Sequence, residues 1–355
     1  MAIQFKWLIK IPFMVYLCLF SFAQVAYAEG DDYSSEGERR AKIAGESLIG
    51  TPAPKIKIRS IEGKTIDLAQ VYGEKPVYIK FWATWCVPCR EQMPGFEDIY
   101  KKYGDEVQVI AVNTGISDNL ESVITFREKM GLTMPITIDD GELARVFQLR
   151  VTPQHLLIDK NGKFAYFGHK DDQGFHQVLD SVVTEKSTGK PLNNPTFVAK
   201  ETGYKVGDLV PDISLSTIDE QSLSFKFNTL KSKKVAVVFF GPWCEWYLEK
   251  TKPKTSKACT QVRELLESKP SISNIRWVTV STNLWSSVTD LKEYRKRYRT
   301  TMPIVFDKDG ALFKQFGVSQ IPTIAIIDPD GKISLKSSIQ NGDFYSVLQT
   351  ISNVK

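Results

Sequence analysis

The chain is poor in the residues that build cross-linked scaffolds and metal centres. It has five cysteines (Cys18, Cys86, Cys89, Cys244 and Cys259) and three histidines in 355 residues. So few cysteines exclude a disulfide-dense scaffold and favour chemistry or one local bridge. After residue 28 no apolar run approaches the ~20 residues that a spanning helix requires. Excess charge is also scarce: 46 Lys+Arg against 41 Asp+Glu leave +5, and Lys6 and Lys10 supply two of those near the N-terminus. That is too little and too dispersed for a nucleic-acid partner. With 42% hydrophobic and 25% charged residues, a mainly disordered or fibrous chain is excluded as well.

The first 28 residues read as a signal peptide. Lys6 and Lys10 form a basic start, Ile11 to Ala23 an apolar stretch, and Ala26-Tyr27-Ala28 a small-x-small cleavage site. The expectation is export to the periplasm. The alternative is a membrane anchor that stays uncleaved. Cys18 lacks the small preceding residues that lipoprotein processing prefers, since Val15-Tyr16-Leu17 stand there. Residues 29–47 mix acids and bases with few apolar residues and read as a flexible lead-in.

The remainder is a diverged tandem repeat. Ala53-Pro54, the apolar run Val77 to Trp82, and Trp85-Cys86 are echoed by Val210-Pro211, Val235 to Phe240, and Trp243-Cys244. Thr133-Met134-Pro135-Ile136 matches Thr301-Met302-Pro303-Ile304, and Phe147, Pro153, Asp159 and Gly162 find counterparts in Phe316, Pro322, Asp328 and Gly331. The period is too long for a solenoid and suits two complete domains. Buried strands are expected at Val107 to Val112, Leu156 to Asp159, Arg276 to Val280 and Thr323 to Ile327. Helices are expected at Glu91 to Tyr103, Ser117 to Met130, Thr260 to Ser268 and Ser287 to Tyr298. Alternating strands and helices imply an α/β class, two domains each with a mixed central sheet flanked by helices. The domains are placed at 48–186 and 205–355, with a polar, Gly/Pro/Asn-containing linker at 187–204.

Trp85-Cys86-Val87-Pro88-Cys89 follows one of these strands and opens a helix. Unpaired N–H groups and the helix dipole favour an anion there, so Cys86 is expected to be an exposed nucleophile of lowered pKa. Cys89, one turn inward and more buried, can attack a mixed disulfide at Cys86. Pro88 fixes the backbone between them. A zinc half-site would want a second ligand pair, and only distant cysteines and His155, His169 and His176 remain to supply one. Redox chemistry is therefore favoured over a metal or a structural bridge.

The segment Phe81-Trp82-Ala83-Thr84-Trp85-Cys86-Val87-Pro88-Cys89-Arg90-Glu91-Gln92-Met93-Pro94 resembles the active-site segment of the thioredoxin superfamily, specifically the exported TlpA/ResA-type thiol–disulfide oxidoreductases. Val151-Thr152-Pro153 resembles that family's cis-proline loop. The resemblance implies two thioredoxin-like domains, with Pro153 facing Cys86 and client backbone pairing at Thr152. It further implies reduction of disulfide-bearing clients, among them apocytochrome c and copper-site assembly proteins. Electrons would come from a membrane thiol transporter, and no cofactor or metal is needed. One position departs from the pattern: Lys80 stands where relatives place an acid or asparagine. It either stabilises thiolate or takes the Cys89 proton from beneath the helix, or it snorkels to solvent. His155, two residues after Pro153, is a further candidate for tuning the thiol.

In the second repeat Tyr247 stands where the resolving cysteine should be. A Cys-x-x-Cys cycle is therefore impossible there. Extra residues fall around Leu248 to Cys259, and Pro253 should break any helix begun at Cys244. A loop folding back, with a new helix near Ser256, would bring Cys259 beside Cys244 as a structural or second redox bridge; two separate thiols are the other possibility. Pro322 is the counterpart of Pro153. A peroxiredoxin reading of Cys244 lacks the threonine three residues earlier, and a copper-chaperone reading lacks Cys-x-x-x-Cys with histidine. Two functions stay open: a disulfide reductase, or a client-binding adaptor or isomerase in which the second domain holds the substrate.

Overall fold

The computed structural model describes residues 33–186, 193–197, 203–229, 233–267, 275–339 and 346–347. The expected signal peptide and much of the expected linker lie outside the described residues. The first element is a helix, α1, over 33–45. The lead-in expected to be flexible at 29–47 is thus largely helical. Its apolar residues are few but aimed: Ala41 and Ala44 are buried. Gly37 and Gly45 let the helix lie directly on the rings of His169 and Phe167.

The first domain continues with the hairpin β1 (Lys57–Arg59) and β2 (Thr65–Asp67), a short α2 (Leu68–Val71), β3 (Val77–Trp82), α3 (Val87–Tyr103), β4 (Gln108–Asn113) and α4 (Leu120–Met130). Then come β5 (Ile136–Ile138), α5 (Glu142–Val146), β6 (Gln154–Ile158), β7 (Phe164–Gly168) and α6 (Gln173–Thr184). Five strands form one sheet in the order β5-β4-β3-β6-β7. β3 lies parallel to β4 and antiparallel to β6, so the sheet is mixed. Every residue of β3 is buried, because helices cover both faces of the central strand. This is why it reads as a continuous apolar run rather than an alternating one.

The second domain repeats the plan. After the hairpin β8 (Ile213–Ser216) and β9 (Ser222–Phe225) come β10 (Lys234–Phe240), α7 (Cys244–Tyr247), α8 (Pro253–Glu267), β11 (Ile275–Ser281) and α9 (Val288–Tyr298). β12 (Ile304–Phe306), α10 (Ala311–Gln315), β13 (Thr323–Ile327) and β14 (Ile333–Ser338) complete it. The sheet order β12-β11-β10-β13-β14 is the same arrangement. The local difference is at the active-site helix. In the first domain a single 17-residue helix runs through Pro94. In the second, four residues of α7 stop, and a new helix starts at Pro253. Proline is tolerated in a first helical turn, where its missing N–H costs nothing, which sets the start of α8 slightly before the expected Ser256.

Matching polar caps fix matching helices in the two domains. Buried Asp139 accepts from the N–H groups of Leu143 and Ala144, and buried Asp307 from those of Leu312 and Phe313. Burial pushes the Asp139 carboxyl up to about 7 and that of Asp307 up to about 6.

Candidate active site

α3 begins at Val87, four residues before the Glu91 bound read from the sequence, with Cys86 just ahead of it and Cys89 in its first turn. Cys86 is the N-cap, in extended backbone, and its Sγ accepts from Cys89 N at 3.2 Å. A cap side chain that receives an otherwise orphaned N–H is the position at which an anion is best held. Pro88 sits in that first turn, where its ring needs no hydrogen bond. Cys86 and Cys89 are joined as a disulfide, with Cα atoms 5.2 Å apart.

The structure corrects one expectation here. Cys86 is 0% exposed, as is Cys89, whereas Val87 between them is 45% exposed. Trp85 explains part of the cover. Its indole N–H donates to Ile116 O at 2.7 Å, and its ring stacks on Trp243 of the second domain at 5.2 Å.

The Thr152–Pro153 bond is cis, and so is Ile321–Pro322. Thr152 is fully buried, and its hydroxyl has no hydrogen-bond partner among the described residues. Pro153 O lies 2.7 Å from Nδ1 of His169, so that nitrogen carries the hydrogen.

Beneath α3 lies a buried polar chain. Lys80 is fully buried, and its Nζ donates to Gln92 O at 3.3 Å and lies over the Phe96 ring. The snorkelling alternative is thereby excluded. Gln92 and Phe96 follow Cys89 at helical spacing, so Lys80 lies under the same face of the helix, one turn on. Burial lowers its pKa to about 7, opposed by the charge of Asp171. Gln92 Oε1 is 2.9 Å from His155 Nε2, and His155 Nδ1 is 2.6 Å from the Tyr78 hydroxyl. Burial, then the charge of Lys80, holds His155 well below its usual range, so it is neutral. Gln92 Nε2 donates to His169 O at 3.2 Å, which links this chain to the segment after β7. His155 and His169 are therefore interior hydrogen-bonded residues; His176 is half exposed and paired with Asp171.

A second buried group shapes the turn before Cys86. Asp118 accepts from Thr84 N at 2.7 Å, from the Thr84 hydroxyl at 2.5 Å and from Asn113 at 2.9 Å. It is also paired with Lys252 of the second domain at 3.1 Å. No motif announces Asp118, because its partners are brought together by strand ends distant in sequence. Gln92 likewise carries no sequence signal beyond proximity to the cysteines, and no motif marks the bonds that His169 and Tyr247 make.

In the second domain Cys244 and Cys259 are joined, with Cα atoms 6.2 Å apart. The break before α8 turns that helix back along α7, and the hydroxyl of Ser256 donates to Glu245 O at 2.6 Å. Tyr247 has no thiol partner to serve. Its hydroxyl instead accepts from the N–H of Val87 at 3.3 Å, across the domain boundary. Pro322 occupies the loop equivalent to that of Pro153. Between the domains, a cleft of about 700 Å³ is lined by residues of α1, by Pro88, Glu91 and Gln92 of α3, and by the aromatic side chains of Trp243, Trp246 and Tyr247.

The chain is also similar to known proteins. The AhpC/TSA family matches twice, over residues 49–167 and 206–336. The thiol-disulfide oxidoreductase ResA of Bacillus thuringiensis (strain Al Hakam) is 37% identical over 117 residues, covering 32% of this chain and 66% of that protein. ResA of Bacillus cereus (strain ATCC 10987 / NRS 248) is 32% identical over 156 residues, covering 43% of this chain and 84% of that protein. A solved thiol:disulfide interchange protein of the thioredoxin family from Chlorobium tepidum TLS is 23% identical, covers 38% of this chain and 96% of its own, and has a TM-score of 0.34. Two family matches on two copies of one fold, together with these relatives, lead to a single assignment: the chain belongs to the AhpC/TSA family and is a thiol–disulfide oxidoreductase.

Proposed function

We propose that the chain is an exported protein-disulfide reductase working through Cys86 and Cys89. The observation that carries this reading is the placement of Cys86 as N-cap of α3, its sulfur receiving the Cys89 N–H. In the reduced protein that site favours thiolate at Cys86. The thiolate attacks one sulfur of a client disulfide; a Cys86–client disulfide forms and the first client thiolate leaves. Cys89 then loses its proton and attacks Cys86 Sγ. The Cys86–Cys89 disulfide closes and the second client thiolate departs, so two electrons pass from the protein to the client. Neutral Lys80, beneath the same helix face, takes the Cys89 proton and returns it toward the departing thiolate. Trp85, Pro88, Thr152 and Pro153 shape the face on which client backbone lies.

Export rests on the signal-like first 28 residues. Among the described residues no helix is long and apolar enough to cross a membrane. The client class is disulfide-bearing protein, with apocytochrome c and copper-site assembly proteins suggested by the resemblance to the TlpA/ResA group, and a membrane thiol transporter as electron source. A second role, that of holding partner, attaches to the second domain, because Tyr247 replaces its resolving cysteine.

Insulin reduction by wild type, Cys86→Ser and Cys244→Ser tests the assignment. Loss with Cys86→Ser alone is expected. Activity that survives Cys86→Ser would overturn it. The potential of the Cys86–Cys89 pair fixes direction: a value near that of thioredoxin, about −270 mV, marks a reductase.

A further inference from the structure

The residues flanking Cys86 on both sides touch the second domain. Trp85 stacks on Trp243 at 5.2 Å with 28° between the planes. Val87 donates its N–H to the Tyr247 hydroxyl. The Tyr247 ring stands edge-on to both tryptophans, 6.1 Å from each. The side chain that replaced the second domain's resolving cysteine thus lies against the first domain's cysteine turn.

The contact around this centre is reciprocal. Ser117 N donates to Ser319 O at 2.7 Å, and Trp285 N donates to Arg150 O at 2.8 Å. Ser117 and Trp285 are equivalent in the two repeats, each three residues after the threonine that immediately follows its strand. Arg150 and Ser319 are equivalent too, each three residues before its cis proline. Equivalent groups exchanging equivalent bonds is the signature of a two-fold, self-complementary interface. The two thiol faces are therefore set against each other, cis-proline loops included. Lys252 to Asp118 at 3.1 Å and Lys314 to Glu142 at 3.4 Å pin the edges. Helix α1 straps the two domains: Glu38 accepts from His169 N at 2.6 Å, while Arg40 pairs with Asp290 at 2.8 Å.

We propose that the second domain is a built-in occupant of the first domain's client face, and that Cys86 meets a protein disulfide only after the two domains part. This rests on the reductase reading for its purpose, but not for its test. A fully buried nucleophile beside a half-exposed Val87 is what a closed intramolecular complex produces. The lost resolving cysteine fits the same role. A thiol there would enter exchange with the first pair, whereas a phenol contributes a hydrogen bond and aromatic area without chemistry.

The test compares the full chain with Lys252→Glu/Lys314→Glu, which sets like charges across both pinned edges, and with Tyr247→Ala, which removes the central contact. Each is reduced identically and treated with iodoacetamide; alkylation at Cys86 is timed by peptide mass spectrometry, with near-ultraviolet circular dichroism to verify folding. Cys86 alkylation is expected to accelerate about tenfold in the charge variant, the equivalent of a ~1.4 kcal/mol shift in the opening equilibrium. Rates within about twofold of wild type in both folded variants, less than two repulsive pairs should produce, overturn the closure. Insulin reduction is measured alongside. Faster alkylation with no insulin reduction by any chain supports closure and removes the reductase reading. Insulin reduction with unchanged alkylation does the reverse.

Discussion

Lys80→Met should make the protein more stable and a poorer catalyst. Lys80 is fully buried in the central strand, and burial lowers its pKa from 10.5 to about 7. At ~1.4 kcal/mol per pH unit, this difference disfavours the ammonium by on the order of 5 kcal/mol relative to water. Methionine fills similar space without a charge. It forfeits the bond to Gln92 O and the contact over Phe96, together ~2 kcal/mol. The net expectation is a gain of ~3 kcal/mol at pH 7 and below. The sign with pH follows from proton counts. Below pH 7 the lysine is protonated in both states, and the folded state bears the full cost. Between about 7 and 10.5 the unfolded chain holds one more proton than the folded one, so wild-type stability rises with pH. The advantage of Lys80→Met should therefore shrink steadily from pH 7 to pH 9. Urea midpoints of the oxidised proteins at pH 6, 7, 8 and 9 measure it. An advantage that is constant across this range, or a variant less stable at pH 6, would refute the reasoning. The same change should slow resolution of the mixed disulfide by on the order of 100-fold at pH 7 if Lys80 is the base for Cys89, seen as accumulation of a Cys86–client adduct.

Cys259→Ser opens a loop closed across a sequence separation of 15, which should cost the second domain ~3 kcal/mol; an unchanged thermal transition under non-reducing conditions would contradict a stabilising bridge. Asn194→Ala leaves Ala53 O, which its amide reaches at 2.6 Å, without that donor inside the protein. A loss of ~1–3 kcal/mol in the first domain's chemical denaturation is expected, and none is expected if that segment does not dock. Gly37→Ala would place a methyl within 2.5 Å of the His169 ring. Overpacking of ~1–3 kcal/mol should outweigh the helix propensity gained, so the amides of 33–45 should exchange faster with deuterium; unchanged protection would mean that α1 does not lie on His169.

The repeat, the α/β class and the place of the cysteines were legible in the sequence for a local reason. A doubly covered strand must be apolar throughout, a turn must end it, and a helix must start where Cys86 can cap it. Each of these leaves its mark within a few neighbouring residues. The break before α8, which lets Cys259 meet Cys244, was legible in the same way through Pro253. What lay beyond reach depended on groups far apart in the chain. The lead-in looked flexible by composition, yet α1 is ordered by Glu38 at the β7 end and Arg40 at α9, contacts that no short window contains. Lys80 could have pointed to water; only the covering of both faces of β3 decided that it could not. Cys86 looked exposed because a helix start is exposed in one domain taken alone. In the full chain it is fully buried, with its neighbours Trp85 and Val87 set against Trp243 and Tyr247 of the second domain, and an interface between two folded units is written in surface shape rather than in the periodicity of either strand or helix.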